Sequence, residues 1–184
     1  MFWKRFYPSW TKLTLSETVI AITMVEGSAR NMKALVVDDV QANCRMLKGL
    51  LAPFGVCEMA ATGREAVVAF QRAWNAGEPF HLICLDIMLP DLDGLKVLEV
   101  IRKMEDAMNI TEDQRIRAVM ISAAGDFDFQ NRARSLHCDG YLQKPIFRKD
   151  LIAVLKQTHL ITDDTTPHPA GTIRPAPKKP SPPA

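Results

Sequence analysis

The chain contains no C-x-x-C pair, and its four cysteines, Cys44, Cys57, Cys84 and Cys138, stand far apart. Such spacing argues against a zinc cluster and against a disulfide framework. Cys84 falls inside the apolar run HLICLD, where a reduced core thiol is expected. The four histidines are equally scattered, and His137 beside Cys138 reads as loop chemistry rather than a ligand pair. Charge of one sign is also missing: 23 basic against 21 acidic residues leave a formal charge of +2. That balance removes the electrostatic case for nucleic acid as the main partner, so no direct DNA binding is expected. No window approaches the ~20 apolar residues of a membrane span, so no membrane partner is expected either. A reducing cytoplasm is the expected compartment. Internal repeats are absent.

Hydrophobic residues make up 47% of the 184, enough for one packed domain. They are unevenly placed. Residues 1–31 carry Lys4, Arg5 and a short apolar run from Val19 to Val25 that Thr23 interrupts, a poor signal peptide. They read as an N-terminal extension, with Met24 and Met32 as alternative starts. From 161 to 184 the composition turns to proline and polar residues, and PKKP and PSPP stand in a disordered tail. The foldable part is therefore 32–160.

Within it, short apolar runs alternate with helical periodicity. ALVV (34–37) reads as a strand. Residues 40–52 place Val40, Cys44, Leu47 and Leu51 on one helical face, ended by Pro53 and Gly55. VCEMAA (56–61) is a weaker strand. Thr62 and Glu65 form a capping box that opens a helix with Ala66, Phe70 and Trp74 inward. HLICLD (81–86) is a third strand, and MLPDLDG a turn in which Asp91 and Asp93 precede Gly94. A helix over 95–108 turns Leu98, Ile101 and Met104 inward. AVMIS (118–122) is a fourth strand, 126–136 a short helix starting near Phe127 and Phe129, and GYLQ (140–143) a fifth strand. A last helix over 148–159 buries Leu151, Val154 and Leu155. Five such alternations predict an α/β fold: a doubly wound five-stranded parallel sheet with helices on both faces, in one domain.

In such a sheet the C-terminal ends of the strands share one edge, where ligands bind. Asp38, Asp39 and Asp86 all end strands, so three carboxylates should converge. Like charges at close range require a proton or a cation. An oxygen-only donor set suits a hard divalent ion such as Mg²⁺. Ser122 ends the fourth strand and Lys144, followed by Pro145, ends the fifth. A hydroxyl and an ammonium beside a metal-bound carboxylate suit a phosphoryl group, with a carboxylate as nucleophile. Taken singly, each residue has a plainer reading: Asp38 or Asp39 as helix cap, Asp86 as loop entry, Ser122 as strand-end hydroxyl, Lys144 as solvated charge, Tyr141 as core aromatic.

Together, VVDD, LDIMLPDLDG, MIS and YLQKP resemble the receiver domain of two-component response regulators, over residues 33–160. The resemblance implies a CheY-like (flavodoxin-like) fold and these roles. Asp86 is the phospho-acceptor. Asp38, Asp39 and the backbone carbonyl of Met88 join Asp86 in holding Mg²⁺. Lys144 pairs with the phosphoryl oxygens, Ser122 and Tyr141 form a switch pair, and the Lys144–Pro145 bond is cis. The implied partners are a histidine kinase or histidine phosphotransfer protein and a downstream protein target. A stand-alone receiver, not an enzyme, is the reading adopted.

Two other readings compete. One is a receiver-fold interaction module that works without phosphorylation. The other is an aspartyl-phosphate hydrolase of the haloacid-dehalogenase type, which wants a second aspartate where this chain has Met88. Three features depart from the family pattern or stand unexplained by it: a long connector around MNITEDQR, the pair Phe127 and Phe129, and Met88, two residues past the acceptor, where it would bear on access to the phosphoryl group.

Overall fold

The computed structural model of the chain describes residues 32–123 and 132–162. The strands are β1 (Met32–Val37), β2 (Gly55–Ala60), β3 (Leu82–Asp86), β4 (Arg117–Ser122) and β5 (Gly140–Gln143). The helices are α1 (Gln41–Leu51), α2 (Gly63–Asn75), α3 (Gly94–Ala107) and α4 (Arg148–Gln157), with a short 3₁₀ turn at Glu112–Gln114. All strand pairs are parallel, in the order β2-β1-β3-β4-β5. The sequence therefore places its strand order reversal between β1 and β3, where a crevice opens.

Two apolar layers sandwich the sheet. On one face α1 and α4 bury Cys44, Leu47, Leu51, Leu151 and Leu155 against Val36, Cys84 and Ile121. On the other, α2 and α3 bury Ala66, Phe70, Leu98 and Ile101 against Leu35, Ile83 and Met120. The whole of β3 is buried, which is why it reads as an unbroken apolar run. The predicted fold class is the observed one. No helix among the described residues is long and apolar enough to cross a membrane.

Local signals account for the element ends. The Thr62 side chain accepts from the backbone N–H of Glu65 at 3.1 Å, and the Glu65 carboxylate accepts from Ala61 at 2.8 Å. Asp93 caps α3 through Lys96 at 2.8 Å. Gly77 stands at φ +72°, a left-handed conformation that ends the run after α2 at little steric cost.

Three details differ from the sequence reading. Val40 is 49% exposed and sits just before α1, so only Cys44, Leu47 and Leu51 form the buried face. Trp74 is half-buried, and Ala73 takes the fully buried position on α2. Asp91 does more than form a turn: its carboxylate accepts from the N–H groups of Gly63 and Arg64 at 2.9 and 3.1 Å, capping α2 from a distant loop. The expected extension over 1–31, Phe127 and Phe129 with the start of their helix, and the tail from 163 onward lie outside the described residues.

Candidate functional site

Register brings the aspartates together. Val37 pairs with Leu85 across β1 and β3, so Asp38 and Asp86 stand side by side at the next position. Asp38, Asp39 and Asp86 each offer a carboxylate oxygen within 4.8 Å of the others. Asp38 and Asp86 are buried, whereas Asp39 is exposed. Desolvated like charges need compensation, and Lys144 supplies it here. Its Nζ donates to Asp38 Oδ2 at 2.9 Å and to Asp86 Oδ2 at 2.5 Å. The Lys144–Pro145 peptide is cis, as expected.

The electrostatics follow from burial and this cation. Burial pushes the Asp86 carboxyl above the usual range; the hydrogen bond and charge of Lys144 oppose the rise and the charge of Asp38 adds to it. Burial would lower the Lys144 ammonium, but its bonds to Asp86 and Asp38 outweigh that and raise it. The site thus holds a positive group firmly protonated against two buried carboxylates.

Asp38 is bonded on both oxygens. Oδ1 accepts from the Val40 N–H at 2.9 Å and from Asn43 Nδ2 at 3.0 Å; Oδ2 accepts from Asn43 at 3.0 Å as well as from Lys144. The cap reading for Asp38 is therefore partly right, since it bonds the N–H just before α1. Asn43 went unremarked in the sequence. Its signal was its place in the first turn of α1, five residues after Asp38, from which a side-chain amide reaches back to the strand end. Asp86 Oδ1 accepts only the Met88 N–H at 3.2 Å among these bonds, so it is the less encumbered carboxylate. Gly94 supports the same loop from behind: a Cβ there would lie 2.2 Å from the Asp86 carbonyl oxygen. Only glycine lets the start of α3 come so close.

The remaining predicted residues reach the same edge by different margins. Asp86 pairs with Ile121, so Ser122 lies one position beyond it on the neighbouring strand, buried, with its carbonyl accepting from the Lys144 N–H at 2.8 Å. Met88 is 70% exposed beside the acidic cluster. Tyr141 is half-buried and packs against the α2/α3 layer. Burial pushes its phenol up, and a hydrogen bond with the Cys138 thiol adds to the shift. The ring therefore has a partner away from the acidic cluster.

This donor set fits a hard divalent ion: carboxylate oxygens, closely spaced, at an open strand edge with one exposed member. The neighbouring lysine and hydroxyl fit an anion of the phosphoryl type.

Comparison with known proteins gives the family and the fold. The response regulator receiver domain family matches residues 34–156. The chain is 33% identical over 138 residues to Hybrid signal transduction histidine kinase G of Dictyostelium discoideum, covering 73% of this chain and 4% of that protein. It is 33% identical over 135 residues to Probable transcriptional regulator ycf27 of Cyanophora paradoxa, covering 73% of this chain and 51% of that one. The chain thus spans about half or less of the length of these relatives. Among solved structures, a CheY-like response regulator receiver domain protein from Methanospirillum hungatei superposes with a TM-score of 0.58 at 25% identity, covering 73% of this chain and 95% of that one. A Francisella response regulator 1452 receiver domain gives a TM-score of 0.55 at 26% identity, with 70% and 98% coverage.

Proposed function

Because the chain belongs to the response regulator receiver family, we propose that it takes a phosphoryl group from a phosphohistidine onto Asp86 and signals by contact with another protein. The receiver unit is assigned to residues 32–160. One observation carries this reading: Asp86 is a buried, lightly bonded carboxylate with two further carboxylates within 4.8 Å and the Lys144 ammonium at 2.5 Å.

In the proposed step an Asp86 oxygen attacks phosphorus, the phosphorus–nitrogen bond breaks, and the imidazole leaves on the donor protein. The product is an acyl phosphate, a mixed anhydride on the Asp86 side chain. Asp38, Asp39, Asp86 and the Met88 carbonyl would hold Mg²⁺, which supplies charge compensation for the phosphoryl oxygens. Lys144, now shared between two carboxylates, would turn to a phosphoryl oxygen. Asn43 keeps Asp38 oriented while this exchange occurs. Ser122 would donate to the phosphoryl group, and Tyr141 would give up Cys138 and turn inward behind it. Shifting the domain from mostly inactive to mostly active would take differential stabilisation of about 3–5 kcal/mol.

The donor is proposed to be a histidine kinase or phosphotransfer protein, and the reader of the switched surface a separate protein. The test is intact mass after incubation with acetyl phosphate, with and without Mg²⁺, on the full chain and on Asp86→Asn. A single Mg²⁺-dependent phosphoryl adduct lost in Asp86→Asn is expected. An adduct that persists in Asp86→Asn would remove Asp86 as acceptor. Steady hydrolysis of a small phosphate ester would instead favour an enzyme.

A further inference from the structure

The sheet edge opposite the acidic cluster carries openings of its own. Two adjoining cavities lie beneath the N-terminal ends of β3 and β4. One, of about 450 Å³, is walled by Trp74, Pro79, Phe80 and Leu160 on its apolar side. The other, of about 230 Å³, is polar and lined by Arg102, Glu112, His137 and Asp139. Arg115 and Arg117 line both. The long connector between α3 and β4 builds much of this wall, through its 3₁₀ turn and Arg115.

We propose that this double cavity is a second ligand site, for a mononucleotide. The reading is independent of Asp86 chemistry, since Arg117 and Ser122 stand at opposite ends of β4. Its argument is chemical. Arg102 is committed: it donates to Glu105, to Asp139 and to the carbonyls of Ile116, Leu136 and His137. Arg115 and Arg117 are not used up in this way. Arg117 donates one Nη1 bond to Asp139 at 3.3 Å, and Arg115 pairs through Nη2 with Asp106. Arg115 Nε is buried and has no acceptor among the described residues. A guanidinium held by one nitrogen with another donor unspent is suited to take an oxyanion after a small rotation.

Two guanidiniums at the junction of an apolar and a polar cavity match a ligand with a flat apolar part and an anionic end. Trp74, half-buried, lines the apolar side, and an aromatic ring is the usual partner of a nucleobase. The larger cavity lies in the size range of small-molecule sites. Glu112, Asp113 and Asp139 balance Arg102, Arg115 and Arg117 in formal charge, so an anion would be held by local guanidinium contacts and not by a net field, which favours the single phosphate of a mononucleotide over a polyphosphate.

The test is calorimetric and fluorescence titration of the full chain with AMP and GMP, beside inorganic phosphate and adenosine. The expected result is saturable nucleotide binding at about 1 mM or tighter, at least tenfold weaker for phosphate and for adenosine. Arg115→Gln and Arg117→Gln should each weaken it about tenfold, the worth of one charge-assisted contact. Trp74→Phe should weaken it less and abolish the ligand-dependent part of the fluorescence. Asp113→Asn should tighten it, an effect that a merely structural role would not produce. Circular dichroism melts confirm that each variant is folded. Phosphate binding as tight as nucleotide binding would overturn the proposal and leave a plain anion site. So would absence of nucleotide binding to the folded wild type, or nucleotide affinity unchanged in both arginine variants.

Discussion

Arg102 and Glu105 carry charge into the core on the buried face of α3. Their side chains are 9% and 1% exposed, and Nη1 of Arg102 meets Glu105 Oε2 at 2.7 Å. Glu105 Oε1 also accepts the Ile116 N–H at 2.8 Å, so the pair ties α3 to the entry of β4. A helical wheel alone would put such residues on a solvated face. Removing one partner leaves the other charge buried and unpaired, which typically costs roughly 3–5 kcal/mol. Glu105→Ala is therefore expected to lower unfolding stability by about that much in urea titrations. A loss under ~1 kcal/mol would mean that Asp139 and the carbonyls of Ile116, Leu136 and His137 compensate Arg102 without Glu105. The thiols behave differently. Burial pushes half-buried Cys57 up to about 11 and fully buried Cys84 up to about 12, in keeping with inert thiols rather than reactive ones.

Among elements, the β3–α3 loop is held by its neighbours more than by itself. Asp91 reaches across to cap α2, Asp93 caps α3, and Gly94 lies against the Asp86 carbonyl. Partial desolvation disfavours the Asp91 carboxylate, but the N–H groups of Gly63, Arg64 and Leu92 outweigh that and hold its pKa below the usual value. The sign of the pH dependence follows. A carboxyl with a depressed folded-state pKa stabilises above its unfolded value, near 4, and that contribution fades as pH falls through the folded value. Asp91→Asn is expected to melt lower than wild type at pH 7, with the gap closing in acid. A gap that stays constant down to pH 3 would show that the bonds, not the charge, carry the cap.

The whole molecule couples the site to its stability. Three carboxylates from two strands meet only when β1 and β3 are in register, so any cation that binds the cluster favours the folded chain. Mg²⁺ at 100 times its dissociation constant should add about 2.7 kcal/mol to unfolding. The expected observation is a melting temperature that rises with Mg²⁺ in wild type and barely moves in Asp39→Asn. That residue is the exposed member of the cluster, so its loss should not itself unfold the domain. An equal rise in Asp39→Asn would place the ion elsewhere.

Much of this was legible in the chain itself. Runs such as ALVV and LICLD, buried on both faces, demanded a parallel sheet, and carboxylates at strand ends follow from strand length alone. Asp38, Asp39, Asp86, Ser122 and Lys144 were therefore placed at one edge by period and topology. Tertiary structure decided the rest, because it depends on approach rather than spacing. Nothing in the order of residues says that Asn43 turns back onto Asp38, that Asp91 caps a helix 28 positions away, or that Val40 faces solvent. Nor does it say that Arg115 and Arg117 meet Trp74 across a cavity. Periodicity reports which face of an element is apolar; which polar groups meet depends on how those elements are stacked in three dimensions.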